Sequence, residues 1–293
     1  MFAVMGVTGH TGAAVAETLL ARGAEVRVVV RDAGKAAPWV AKGAEVAAAD
    51  ARDADALTAA FQGVEGVYAL NPPGYGSDDP LAEARAVGAA LADAVAHTHV
   101  PHVVALSSIG GHRPDGTGII VTTHLLENAL RAAGRPLTIV RAGFFMENWA
   151  NVLAPALGQG VLPCFTLPLD KPFPTVDVAD IGRTAAEALL GGPRGLRVVE
   201  LNGPADRTPQ DAAAALSAAA GRPVQAVAVP REAWVPTLLA AGLAQRPAEL
   251  LAEMYDGLNE GRVVQEDGTE RANGTVTLEQ AMARLVQGAR AAA

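Results

Sequence analysis

The 293-residue sequence predicts an α/β protein, a doubly wound parallel sheet with a small, mostly helical C-terminal lobe. Three observations lead there. Over roughly the first two hundred positions, short β-branched runs alternate with longer Ala/Leu-rich stretches, the pattern of βαβ units whose sheet is covered on both faces. Hydrophobic residues make up 50% of the chain, enough to bury a substantial core in one or two domains. A glycine-rich turn joins the first apolar run to the first helical stretch.

Strands are expected near 2–6, 25–30, 45–49, 65–70, 102–107, 136–141 and 196–201. Helices are expected near 11–22, 35–43, 53–62, 79–97, 118–133 and 177–191, where apolar residues recur at three- and four-residue spacing. Start signals support several ends. Asp177 followed by Asp180 reads as a cap with an acidic third position, Thr208 precedes Pro209 at a first helical position, and Thr277 with Gln280 matches a capping box. After Arg141 the composition shifts. Residues 143–173 gather Phe144, Phe145, Trp149, Phe165 and Phe173, and residues 203–293 trade the β/α alternation for helices around one strand at 224–229. The expected division is 1–142 plus 174–202 for the sheet domain and 143–173 plus 203–293 for the lobe.

The charges, 23 Lys and Arg against 31 Asp and Glu, leave a net −8 with no long block of one sign. Such a surface repels polyanions and anionic membranes, so no direct nucleic-acid or membrane partner is expected. No apolar stretch is long enough to span a bilayer, and the first strand begins too early for a cleaved leader. Cys164 is the single cysteine, which excludes an intrachain disulfide and a cysteine zinc cluster and fits a reducing, cytoplasmic setting. A monomer or homodimer is expected.

The turn itself reads Gly6-Val7-Thr8-Gly9-His10-Thr11-Gly12. A backbone that bends this sharply and approaches a pyrophosphate needs positions without Cβ, and the helix that follows offers free N–H groups and partial positive charge. Gly6, Thr8, Gly9, His10, Thr11 and Gly12 are the expected pyrophosphate-binding residues of a dinucleotide site. The spacing is GxxGxxG rather than GxGxxG, so the turn's place in the first βαβ unit carries the reading. The second strand runs Val28-Val29-Val30 into Arg31, where an NAD site places an acid for the ribose 2′-hydroxyl. An arginine there suits a 2′-phosphate, so NADPH (NADP) is expected in preference to NAD. The alternative is a solvated strand-end charge, with Asp32 and Lys35 nearby. Asp50, beside Ala51, is placed to accept a hydrogen bond from an adenine amino group or to cap a helix, a task for which Asp53 is better placed.

These residues belong to an ordered set that covers almost the whole chain. It includes Val30-Arg31-Asp32, Asp50-Ala51-Arg52-Asp53, the run at 103–108, and Val140-Arg141-Ala142-Gly143-Phe144-Phe145-Met146-Glu147-Asn148. The run at 174–182, Gly221-Arg222-Pro223 and Leu258-Asn259-Glu260-Gly261 complete it. The set resembles the NmrA-like atypical members of the short-chain dehydrogenase/reductase superfamily. The resemblance implies a Rossmann-type NAD(P)-binding domain, a small C-terminal lobe over the nicotinamide end, and either a quinone-type reductase or a redox-sensing regulator.

The superfamily's usual acid is a tyrosine with a lysine four residues on. Here Tyr68, Tyr75 and Tyr255 are followed at that spacing by Pro72, Asp79 and Asn259. Aligning Glu127 with the family's acidic position puts Ile119 and Thr123 at the tyrosine and lysine places. Hydride transfer to a quinone, an azo group or a similar acceptor yields a stabilised anion that solvent or a weak acid protonates, so a tuned tyrosine is not obligatory. The expected activity is NADPH-dependent reduction of a quinone-like or otherwise activated aromatic small molecule. The alternative is a non-catalytic NADP(H) sensor that acts through a protein partner.

His124, one residue past the lysine place, and Ser108, at the end of the fifth strand, are the catalytic candidates; His124 is equally readable as a polar helix-face residue. Ser107 is a candidate to orient the nicotinamide, and Asn71 and Pro72 start a rigid loop expected to pass under the cofactor. Phe144, Phe145, Met146, Asn148 and Trp149 are the expected substrate wall, with core packing between the lobes as the alternative for each ring. No metal is expected: His97, His99 and His102 run from a helix end through a turn into a strand. No Gly-x-Ser-x-Gly elbow is present, and Gly12 is followed by Ala13 and Ala14 rather than a phosphate-loop lysine.

Overall fold

The computed structural model describes residues 1–292. Strands β1 (Phe2–Met5), β2 (Val26–Val30), β3 (Glu45–Ala48), β4 (Gly66–Ala69), β5 (Val103–Ser108) and β6 (Leu137–Ala142) alternate with helices α1 (His10–Ala21), α2 (Ala37–Val40), α3 (Ala54–Phe61), α4 (Pro80–Thr98) and α5 (Val121–Ala132). Next come β7 (Phe144–Phe145), α6 (Leu153–Gln159), β8 (Val161–Cys164), β9 (Thr175–Val176), α7 (Val178–Leu190) and β10 (Leu196–Asn202). The chain ends with α8 (Pro209–Ala220), β11 (Gln225–Ala228), α9 (Trp234–Ala240), α10 (Gln245–Asn259), β12 (Glu270–Asn273) and α11 (Leu278–Ala292).

Eight strands form one parallel sheet in the order β12-β10-β6-β5-β4-β1-β2-β3. The chain winds outward from β1 to β3, then resumes at β4 on the other side of β1. The direction of winding reverses between β1 and β4, where an open α/β sheet leaves a ligand crevice at the carboxyl ends of its strands. One face packs Val15, Leu19, Ile181, Ala185 and Leu189 of α1 and α7 on Val4, Val28 and Val140; the other packs Leu57, Leu91, Val95 and Leu126 of α3, α4 and α5 on Ala3, Val67 and Ile139. Burial on both faces explains why the strands read as continuous apolar runs. α1 and α7 touch so closely that a Cβ at Gly182 would sit 2.5 Å from that of Ala14.

A third core fills the lobe, where Trp149, Leu162, Phe173, Leu216 and Met282 are buried together and β8 pairs in parallel with β11. The strand expected at 224–229 is therefore present as β11. The caps are present as well. Thr208 and Asp211 exchange both capping bonds (3.0 and 2.9 Å), Thr277 and Gln280 do the same (3.3 and 2.9 Å), and Asp177 accepts from the Ala179 N–H at 2.9 Å.

Two expectations change. The helix near 35–43 is a 3₁₀ turn at Ala33–Ala36 followed by the single-turn α2, because Asp32 caps the first piece and Pro38 starts the second. Residues 270–273, assigned to the lobe from sequence, form β12 and lie in the main sheet beside β10. Its sequence, Glu-Arg-Ala-Asn, hid it: an edge strand carries charges, here tied to β10 by two Arg197–Glu270 bonds of 2.9 and 2.7 Å. Asp180, in the first turn of α7, reaches outside its own helix. Its Oδ2 accepts the Thr275 and Val276 N–H groups, both at 2.9 Å, and so fastens the segment after β12 to α7.

Candidate functional site

The crevice begins at the glycine turn. Gly6 leaves β1 at φ +70°, a left-handed conformation that favours glycine, and its carbonyl accepts the Gly9 N–H at 2.9 Å. Gly12 has a different task, since a Cβ there would lie inside the carbonyl oxygens of Met5 and Gly6, where α1 presses on β1. Gly9 has neither constraint. It is extended, and the nearest atom to an added Cβ is the Gly6 oxygen at 3.5 Å. It is the N-cap of α1 yet makes no side-chain cap, so the first N–H groups of α1 are left for a ligand. Thr8 and His10 are exposed beside it, whereas Thr11 is buried.

At the end of β2 lies a cavity of about 210 Å³ lined by Thr8, Val30, Arg31, Asp32 and Lys35. Asp32 spends one carboxylate oxygen on the Gly34 N–H at 2.9 Å, capping its own turn. Arg31 and Lys35 thus bring two cations to a cavity that adjoins the phosphate turn through Thr8, a donor set that fits the 2′-phosphate of NADP(H). Asp50 is less open than expected: Arg52 donates to it from its backbone N–H (2.9 Å) and from Nε (3.0 Å), and this arginine holds the carboxyl below its usual range. Ala51 is half-buried next to it. Asn71 is half-buried and Pro72 exposed on the loop that leaves the carboxyl end of β4.

The structure gives five of the candidates surroundings that the sequence did not show. Ser107 and Ser108 face opposite sides of the sheet. Ser107 is buried and donates to Glu127 Oε1 at 2.6 Å, so its hydroxyl points into a buried ionic cluster rather than at the crevice. Ser108 is half-buried and donates to the Ile109 carbonyl at 3.1 Å. His124 has both ring nitrogens engaged: Nδ1 lies 2.9 Å from the Gly111 oxygen and Nε2 2.9 Å from the Asn128 amide. With Nδ1 protonated, both contacts are hydrogen bonds, and the ring ties α5 to the loop after β5 rather than standing ready as an acid. Met146 and Trp149 are buried in the lobe core rather than open to solvent. Phe144 is half-buried, edge-on to Phe173 at 5.4 Å, while Phe145 packs half-buried against the main core and Asn148 is half-buried.

Two features escaped the sequence analysis. One is the cluster around buried Arg141, which binds Glu127, Glu200 and Glu266. The signal was a charge inside each of two apolar strands, Val140-Arg141-Ala142 and Val199-Glu200-Leu201. The other is Glu147, whose carboxyl accepts the Val178 N–H at 3.1 Å beside Asp177. Burial, reinforced by the Asp177 charge, pushes Glu147 up to about 7. Arg284 of α11 pairs with Asp177 from the other side. Of the three tyrosines, Tyr68 lies wholly in the core, where burial pushes its phenol up. His102 is buried on Thr138 (3.0 Å), His97 turns back to the Asp93 carbonyl (2.8 Å), and His99 ends α4 in a left-handed conformation. Among the described residues, no group of three or more His, Cys, Asp or Glu side chains is arranged to hold a metal ion, and no helix is long and apolar enough to cross a membrane.

Comparison with known proteins agrees with this geometry. The NmrA-like family model matches residues 1–287. An NAD(P)H azoreductase from Xenophilus azovorans is 31% identical over 87% of this chain and 86% of its own. Quinone oxidoreductase 2 of Escherichia coli is 27% identical over 92% of both chains. The crystal structure of an NADPH-dependent quinone oxidoreductase from Escherichia coli, complexed with NADPH, superposes with a TM-score of 0.80 at 26% identity, covering 97% of this chain and 99% of that one. On the sheet order, the phosphate turn and a family match that spans nearly its full length, the chain belongs to the NmrA-like family.

Proposed function

We propose that this protein is an NADPH-dependent oxidoreductase that reduces quinone-like or azo-type aromatic small molecules. The observation that carries the reading is the cavity at the end of β2, where Arg31 and Lys35 stand beside the uncapped start of α1. When bound there, NADPH supplies a hydride. Gly6, Gly9, Thr11 and Gly12 hold the pyrophosphate through backbone N–H groups and close approach, with Thr8 and His10 at the rim. Arg31 takes the 2′-phosphate with Lys35 behind it, Asp50 and Ala51 border the adenine, and Asn71, Pro72 and Ser108 border the nicotinamide end. Residues 1–142 and 174–202, with β12, form the cofactor domain; the remaining segments form the lobe that covers the acceptor. Phe144, Phe145 and Asn148 face the acceptor, and Met146 and Trp149 hold them in place. The reduced acceptor leaves as a stabilised anion and takes its proton from solvent, which accords with His124 and Ser107 being committed elsewhere.

Steady-state NADPH oxidation with a panel of benzoquinones, naphthoquinones and azo compounds tests this reading. Consumption that falls when Phe145 or Asn148 is replaced supports it. Tight NADPH binding with no consumption across the panel would instead assign the chain to the non-catalytic sensor class, for which the missing tyrosine and lysine also speak.

A further inference from the structure

Phe165, Trp234 and Tyr255 come from three separate segments and meet in space, and the loop that carries Tyr75 is tied to the start of the helix that bears Tyr255. The Phe165 and Tyr255 ring centroids are 5.1 Å apart, Phe165 and Trp234 5.6 Å, and Trp234 and Tyr255 6.0 Å, all tilted or edge-on. Trp234 is the floor of the group: it is 2% exposed and its Nε1–H donates to the Val229 carbonyl at 2.7 Å. The others are not sealed. Phe165 and Tyr255 are half-buried, and Tyr75 is 47% exposed. Aromatic pairs favour offset and edge-to-face contacts, so partly exposed rings packed on a buried indole can take one more ring in the same geometry.

The group also has an address. Tyr75 sits on the loop that leaves the carboxyl end of β4, the strand next to β1 and its phosphate turn. Its carbonyl accepts the Ala244 N–H at 3.0 Å, which fastens that loop to the start of α10 in the lobe. Tyr255 lies on the same helix. At the far end of α10, Asn259 grips the segment that carries Phe165 from both sides: its Oδ1 accepts the Leu167 N–H at 2.7 Å and its Nδ2 donates to the Phe165 carbonyl at 2.9 Å. Lys171 locks this helix end by donating to the Leu258 and Asn259 carbonyls at 3.3 and 2.7 Å. The sequence motif Leu258-Asn259-Glu260-Gly261 thus acquires a task, holding the backbone segment that carries Phe165 against the end of α10.

We propose that Phe165, Tyr255 and Tyr75 form a second ring-binding subsite for the distal aryl group of an elongated, planar acceptor whose reducible bond lies at the nicotinamide end of the crevice. Asn259 is its positioning residue. The inference rests on the reading of the protein as a reductase of aromatic acceptors. A phenol is neutral near pH 7 and burial pushes that of Tyr255 further up, so the ring carries no charge against an electron-rich aryl group.

The test uses the full-length protein saturated with NADP⁺, a two-ring azobenzene dye and a single-ring benzoquinone. The dye should quench Trp234 fluorescence saturably, and the Trp234→Phe variant should lose that component. Phe165→Leu and Tyr255→Leu should each raise the dye's Kd by roughly three- to tenfold, the worth of one aromatic contact. In turnover with NADPH, the KM for the dye should rise by the same three- to tenfold while that for the benzoquinone stays within about twofold of the parent. Tyr255→Phe keeps the ring and should keep dye affinity, which separates the subsite from general damage to the fold. Asn259→Ser should raise the dye's KM more than it lowers kcat, with Asn259→Asp, which keeps the bond to the Leu167 N–H, falling between it and the parent. Equal losses for both acceptors, or unchanged dye affinity in both leucine variants, overturn the subsite. If no acceptor consumes NADPH yet dye affinity still follows the rings, the activity fails and the subsite stands.

Discussion

Arg141 holds Glu127 through two parallel hydrogen bonds, Nε to Oε1 at 2.8 Å and Nη2 to Oε2 at 2.7 Å, with the side chains only 1% and 3% exposed. Ser107, Arg141 and Glu200 stand side by side on adjacent strands, because β5, β6 and β10 pair in that register. Glu200 and Glu266 approach the same guanidinium at 3.3 and 2.5 Å. Burial pushes Glu200 up, while the bond from Arg141 pulls Glu266 down. The arginine therefore joins three strands, α5 and the segment before β12 at one point.

Its removal should be costly, because it strands buried carboxylates. Arg141→Met is expected to lose about 3–5 kcal/mol of stability in urea unfolding, the range for breaking a buried pair from one side. The double variant Arg141→Met/Glu127→Met should recover a good part of that loss, since the partner charge is gone as well. A single variant as stable as the parent would mean that the cluster bears no weight in the fold.

Arg31 should decide between the two nicotinamide cofactors. A charged hydrogen-bonding pair contributes about 1.5–3 kcal/mol, so Arg31→Ala is expected to weaken NADPH binding roughly 10- to 150-fold. NADH has no group for Arg31 to hold, and its affinity should move less than about threefold. Lys35→Ala should follow the same direction with a smaller loss. Titration calorimetry with both nucleotides reads the difference directly, and an equal loss for NADPH and NADH removes Arg31 from the role.

How much of this was readable in advance depended on whether the signal was local. The β/α alternation, the turn from Gly6 to Gly12 and the caps at Asp177, Thr208 and Thr277 are each set by residues close in sequence, and the structure contains them. β12 was not legible, since an edge strand of Glu270, Arg271, Ala272 and Asn273 lacks the apolar pattern that announces a buried one. The same holds for partners far apart in the chain. Nothing near Ser107 says that its hydroxyl belongs to Glu127, and nothing near Phe165 says that Asn259 holds it. Phe144 to Trp149 drew attention as a dense aromatic run, yet the fold spends Met146 and Trp149 on the lobe core and assembles a partly exposed aromatic group from scattered residues.

Gly9 and Gly12 should separate cofactor binding from folding. Alanine at Gly12 forces a methyl group into the carbonyls of Met5 and Gly6, backbone that cannot yield as a side chain would. A stability loss of about 1–3 kcal/mol or more is expected, as for other overpacked sites. Alanine at Gly9 meets only the Gly6 oxygen at 3.5 Å, an ordinary contact. Gly9→Ala should therefore unfold at nearly the parent's temperature while losing NADPH affinity at least tenfold, because its methyl group stands where the pyrophosphate must approach. Thermal melts with and without NADPH check both: the shift produced by NADPH should shrink in Gly9→Ala although the apo melting temperature holds.

Glu147 should leave a mark on the pH dependence of stability. Its carboxyl lies between the Val178 N–H and Asp177, which Arg284 pairs from α11, and its folded pKa is pushed up to about 7 by burial and by the Asp177 charge. In the unfolded chain the same group titrates in the ordinary range near about 4.3. Between those two values the folded protein holds more of the proton than the unfolded one, so this group's contribution to stability declines as pH rises and levels off above about 7, with a slope no steeper than about 1.4 kcal/mol per pH unit. Glu147→Gln keeps the shape and an acceptor for the Val178 N–H but cannot ionise. Its stability relative to the parent should therefore grow as pH is raised across that window, and urea midpoints measured at several pH values for both proteins report it. Parallel profiles for parent and variant would show that Glu147 ionises alike in the folded and unfolded protein across that window, and that its burial does not shift its proton.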